Sequence, residues 1–129
     1  MVDAETLLVG WLTTWLATAD APGTVSTETP AGFETQLPWV QVVRIGGGYD
    51  GFRLDRPELD VDAYAADGVA AADLALRIQR ALHEDLARTA TGGAVVTAVD
   101  TITGPHQVPH DNPALRRYVA TYQLTVHPQ

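Results

Sequence analysis

The chain contains no cysteine and no lysine, and Ser26 is its only serine. The missing cysteine excludes disulfides, thiolate metal ligands and cysteine nucleophiles, and leaves the cellular compartment open. Ser26 sits in no nucleophile elbow, so a Ser-His-Asp triad has no starting point. Without lysine, eight arginines stand against sixteen acids, for a formal net charge of -8. That balance argues against wrapping nucleic acid, where affinity comes from neutralising phosphates. Arg116 and Arg117 form a pair, not a basic stripe with interleaved aromatics. No apolar run approaches the ~20 residues of a membrane-spanning helix. The N-terminus has neither the basic start nor the small-residue cleavage site of a signal peptide, and a cytoplasmic product is expected.

The chain itself, 129 residues with 46% hydrophobic and 19% charged, has the length and composition of one globular domain, residues 1–129. Asp3 is a suitable N-cap for an opening helix in which Leu7, Leu8, Trp11, Leu12, Trp15 and Leu16 follow helical spacing, ended by A-P-G at residues 21–23. A polar stretch follows, with room for a short edge strand at 24–28 limited by Pro30. Residues 38–45, P-W-V-Q-V-V-R-I, are β-branched and read as an inner strand. Residues 58–65 alternate: Leu59, Val61, Ala63 and Ala65 one way, Glu58, Asp60, Asp62 and Tyr64 the other. Asp67 then caps a helix with the stripe Ala71, Leu74, Ala75, Ile78, Ala81, Leu82 and Leu86, stopped by Gly92 and Gly93. Two more strands follow at 94–103 and 115–126, joined by a proline-rich connection. Helix, two strands, helix, two strands predicts an α+β fold: a mostly antiparallel sheet of about four to five strands with both helices on one face.

The segment R-I-G-G-G-Y-D-G-F-R-L-D-R-P, residues 44–57, spells G-x-G-x-x-G at Gly46, Gly48 and Gly51. A dinucleotide loop must open a helix, so that backbone amides at its N-terminus meet the pyrophosphate. Here a proline and a period-two pattern follow, so the phosphate cradle is missing. The glycines read instead as a flexible loop carrying Tyr49, Phe52, Arg53 and Arg56, a composition suited to partner contacts. Asp55, Asp60 and Asp62 lack the ligand-rich spacing of a cation loop. His106 and His110 are placed in a proline-broken loop, which removes the shared helical face that paired metal-binding histidines use. No catalytic, cofactor-binding or metal-binding residue is assigned, and no cofactor is expected.

The strand P-W-V-Q-V-V-R-I-G-G-G, the segment L-D-R-P-E-L-D-V-D-A-Y-A and the alanine-rich helix after Asp67 resemble the tail terminator (tail completion) proteins of long-tailed bacteriophages, particularly of actinobacterial siphophages. The resemblance spans nearly the whole chain and rests on patterns, not on a signature motif. It implies a structural, non-enzymatic virion protein of the tail or neck, present in the host cytoplasm during assembly. The family forms a ring, usually a homohexamer. That ring caps the tail tube, ends tube polymerisation and joins the head-side connector, while genome DNA passes through without specific binding. On that reading Gly47, Tyr49, Phe52, Arg53, Arg56, His106 and His110 are candidate contacts to neighbouring subunits or to the major tail tube protein. Asp60 and Asp62 are candidate channel-facing acids. A head-tail stopper or other neck protein is the alternative within the same assembly. A small metal- or nucleotide-dependent enzyme and a ligand-binding module of a bacterial host are the alternatives outside it.

Overall fold

The computed structural model describes residues 3–21, 23–51 and 53–129. Helix α1, Ala4–Thr18, begins where expected: the Asp3 carboxylate accepts from the amides of Glu5 and Thr6 at 3.0 and 3.3 Å. It ends through Asp20, which takes a left-handed φ of 54°. Leu7, Leu8, Leu12 and Leu16 are buried, whereas Trp11 and Trp15 lie at the margin of the core. Strand β1, Thr24–Ser26, is followed by a 3-10 turn at Phe33–Gln36 and by β2, Trp39–Tyr49. Then come β3, Asp55–Ala65, and α2, Gly68–Ala81, which the Asp67 carboxylate caps by accepting from the Ala70 amide at 2.8 Å. α2 runs on into a π-helical turn, Leu82–Leu86, and β4, Thr89–Thr91, β5, Ala94–Val108, and β6, Arg116–Pro128, complete the chain.

The fold is α+β, and the described residues form six strands in the order β1-β2-β3-β6-β5-β4. Sequence patterning expected four to five strands, the fifth being the short edge strand at 24–28 that β1 supplies; the additional one is the three-residue strand β4 at the other end of the sheet. β1 pairs with β2 in parallel, and all the other pairings are antiparallel. α1 packs against β1 and β2, and α2 against β3, β5 and β6. The predicted stripe of α2 is buried throughout, against Leu59, Val61 and Ala63 of β3 and Ala120, Tyr122, Leu124 and Val126 of β6. Both helices therefore cover one face of the sheet.

Three local expectations change. Gly92 and Gly93 do not stop α2, which has already ended at Leu86. Both have positive φ, 59° and 80°, and they form the two-residue turn of the β4–β5 hairpin, the conformation that tight hairpins require. The second concerns the proline-rich connection. β5 continues five residues past Thr103, through Gly104 and Pro105 to Val108, so His106 lies in a strand and only the shorter segment 109–115 is a loop.

The third is the glycine loop. Gly46, Gly47 and Gly48 lie within β2 and pair with Glu58, Pro57 and Arg56 of β3, so the glycine segment belongs to a β-hairpin, and at its turn the Asp50 amide donates to the Leu54 carbonyl at 2.9 Å. The Asp50 carboxylate accepts from the amides of Arg53 and Leu54, at 2.9 and 3.0 Å, and closes that turn. Gly46 and Gly48 have open space around them. Gly47, which is not a fixed position of the G-x-G-x-x-G pattern, is the constrained one. Its φ is 99°, and a Cβ there would sit 2.0 Å from the Arg56 carbonyl oxygen. Beside it, Asp55 is 4% exposed and receives a two-pronged ion pair from Arg44, both bonds 2.9 Å.

Gly47→Ala is therefore expected to destabilise the fold by roughly 2–4 kcal/mol, through a strained φ and a backbone clash. Gly48→Ala should be neutral or slightly stabilising. Denaturant midpoints of the two variants check this contrast. Asp55→Ala should cost about 3 kcal/mol, because it leaves a partly buried guanidinium without its partner.

Candidate assembly face

The sheet face turned away from the helices is built by the alternate residues of four strands. Register places Val43, Asp60, Thr121 and Thr103 in one row across β2, β3, β6 and β5, and Gln41, Asp62, Val119 and His106 in the next. On the side toward the β2–β3 turn, Glu58 lies opposite Gln123, which lies opposite Asp100. Glu58, Asp60 and Asp62 are only half-buried here, whereas Asp100, Thr103 and His106 are exposed. The face is thus a shallow polar surface dominated by four acids.

One end of it is closed by aromatics. Phe33, Trp39, Tyr64 and Leu115 form a second buried cluster, with the Phe33 ring edge-on to Tyr64 at 5.1 Å and to Trp39 at 6.1 Å. The Trp39 indole N–H donates to the Ser26 hydroxyl at 2.9 Å. This cluster explains Tyr64, which shares the polar parity of β3 yet is 3% exposed. Sequence reasoning missed it because its members are scattered over the 3-10 turn, two strands and the 109–115 connection.

Asp60 and Asp62 are neighbours on this face, as alternation requires, but their surroundings differ. Asp60 accepts from the Thr121 hydroxyl at 2.5 Å. Asp62 has a buried Oδ1 with no hydrogen-bond partner. Burial, and then the Asp60 charge, push the Asp62 carboxyl up to about 6, partly offset by Arg117 and a hydrogen bond with Tyr64. Arg117 has an Nε that is buried and without a partner, while its Nη2 donates to the Pro109 carbonyl at 2.9 Å. Arg117 thereby ties the 109–115 connection to the acidic face.

The remaining candidates do not converge on one spot. Gly47 holds the hairpin backbone, and Tyr49, Arg53 and Arg56 are exposed at or near its turn. Phe52 lies outside the described residues. His106 is exposed on β5, its Nδ1 2.9 Å from the Gly104 carbonyl. His110 lies at the opposite end of the sheet from the hairpin turn, with its ring edge-on to Tyr64 at 5.7 Å. Asp55 faces the helices with Arg44, away from Asp60 and Asp62, and the described residues contain no group of three or more potential metal ligands.

A family model described as "Phage tail termination protein" matches residues 1–129. Among solved structures, a chain of one titled "Virion of native gene transfer agent (GTA) particle" superposes with a TM-score of 0.66 at 13% identity, covering 96% of this chain and 94% of that one. At that identity the likeness establishes a shared fold. A search of curated proteins finds no match.

The raised Asp62 carboxyl has a signed consequence. Its folded-state value, about 6, lies above the ordinary 3.8, so the folded state holds the proton more tightly. Stability is then lost as pH rises between those two values and stays reduced above them. Asp62→Asn should stabilise the protein by about 1–2 kcal/mol at pH 8, after allowance for solvent screening, and the gain should vanish below about pH 4. Urea unfolding of both proteins across that range measures it.

Proposed function

Because the chain belongs to the phage tail termination protein family, we propose that it closes into a ring, a homohexamer, at the head-proximal end of the tail tube. There it stops addition of the major tail tube protein and offers a joint to the head-side connector. The work is mechanical: no reaction is assigned to it and no cofactor is needed. The whole chain acts as one terminator domain in the virion tail, assembled in the host cytoplasm.

The observation that carries this reading is the helix-free acidic face. A sheet packed on one side by two helices leaves its other side for an interface or a lumen. Glu58, Asp60, Asp62 and Asp100 make that side repel phosphate. Turned toward the channel, it lets a duplex slide without adhering, since retention would require phosphate neutralisation. Arg53 and Arg56 would hold DNA if they lined the same channel. Arg56 continues the Glu58, Asp60 and Asp62 row of β3 and stands at the hairpin end of the acidic face; with Arg53 and Tyr49 near the turn, that rim suits contacts to protein. His106, His110 and Gly47 belong to the same contact set, Gly47 by holding the hairpin's shape.

The test is tube capping. Purified protein added to polymerising tail tube protein should shorten the tubes and leave a ring density at one end in negative stain. Tubes of unchanged length with bare ends would refute the reading. Arg53→Ala with Arg56→Ala should weaken capping with little change in thermal stability. Glu58→Lys with Asp60→Lys should leave a folded protein that retains duplex DNA in a salt-dependent manner, which filter binding reads directly.

A further inference from the structure

Resting on the ring reading above, we infer that the subunit contact is a strand pairing: the outer edge of β5 docks on the β2 edge of a second copy of this chain. The sheet has two outer flanks that its short terminal strands leave open. β4 covers β5 only at Ala94, Val95 and Val96, and beyond them no described strand pairs with the outer side of β5. β1 covers β2 only at Trp39, Val40 and Gln41. Past that, the Arg44 amide donates to the Glu5 carboxylate of α1 at 2.7 Å, and residues 45–49 have no described strand on their outer side.

Each open flank carries one isoleucine placed in the same unusual way. The β2–β3 ladder steps from Arg44 to Gly46 and skips Ile45, and the β5–β6 ladder steps from Thr101 to Thr103 and skips Ile102. Both are bulge residues, and both are 52% exposed. A bulge re-aims its side chain and commonly protects an edge, a role served best by charged residues. Isoleucine at both bulges does the opposite and gives each edge an apolar knob.

Geometry makes the pair repeatable. The strand order and the antiparallel pairings from β2 through β3 and β6 to β5 make β2 and β5 run in opposite senses. Rotation about an axis along the strands preserves those senses, so β5 of one copy meets β2 of the next in antiparallel pairing. The contact is heterologous and leaves one free edge at each end, which is the condition for closing a ring. With Ile45 near Ile102, Asp100 falls beside the 47–48 stretch; on β3 that stretch is flanked by the exposed Arg56, which offers the opposite charge, and by Glu58, which does not.

The chain has no native cysteine. The double variant Ile45→Cys/Ile102→Cys, oxidised alone and after mixing with tail tubes, is therefore expected to give a ladder of disulfide-linked multimers on a denaturing gel. Each single variant should remain a monomer there. Absence of the ladder in both samples overturns the inference. Crosslinking of Ile102→Cys alone also overturns it, in favour of a twofold β5–β5 contact. Capping by the wild-type protein, scored on the same tubes, reports separately on function. Capped tubes without a ladder reject this interface and leave the terminator reading standing. A ladder without capping does the reverse.

Discussion

The register of β3 is the constraint on which the rest depends. This strand lies between β2 and β6, and its alternate residues divide the molecule in two. Leu59, Val61 and Ala63 meet the helices, while Glu58, Asp60 and Asp62 meet the other side. A slip of one residue would put three carboxylates beneath α1 and α2 and expose the apolar set, at a cost of several kcal/mol for each buried acid. The strand is pinned at both ends. At one end Asp55 breaks the apolar parity of the helix-side face, which is tolerated because Arg44 engages both of its carboxylate oxygens. At the other end Tyr64 breaks the polar parity, which is tolerated because Phe33, Trp39 and Leu115 bury it.

Those two exceptions show where reading the sequence works and where it stops. Period and caps carried the helices, because Asp3, Asp67 and the stripe from Ala71 to Leu86 act within a few residues of one another. Alternation carried β3 and β6 for the same reason. What failed depended on partners distant in the chain. The glycines of β2 look like a loop in isolation, and only the approach of the Arg56 carbonyl reveals that Gly47 is held in a strand pair. Gly104 and Pro105 look like breakers, yet β6 supplies a template that carries β5 past them to Val108. Glycines 92 and 93 look like a helix stop in isolation because a three-residue strand has no period to detect. The acidic face was visible as a pattern, but the burial of Asp62 and the tie between Arg117 and Pro109 were not.

The acidic face also shows a conflict between stability and use. Two carboxylates at alternate positions of one strand repel each other, and partial burial of Asp62 adds desolvation to that repulsion. A sequence optimised only for the isolated subunit would place threonine or glutamine there, as β6 does with Thr121 and Gln123 on the same face. Retaining acids where they weaken the fold is consistent with a surface whose charge matters outside the subunit. Repulsion of a passing polyanion needs several like charges held in fixed positions, and a paired sheet holds them with less conformational freedom than a loop.

The same economy governs the edges. A sheet with a long unpaired flank is a hazard for a free subunit, and native proteins usually shorten, charge or cover such flanks. Here β1 and β4 each cover only three residues, and Glu5 closes one further amide on β2. That cover ends at Arg44 on β2 and at Val96 on β5, and the two bulged isoleucines lie beyond it. Full coverage would yield an inert monomer, and no coverage would permit pairing in many registers. On the proposed strand pairing, partial coverage together with one irregularity on β2 and three on β5 narrows the registers in which a second copy can fit. On that proposal the edge is kept for one partner, and its cost in solubility is limited by the net charge of -8, which disfavours contacts lacking opposite-charge complementarity.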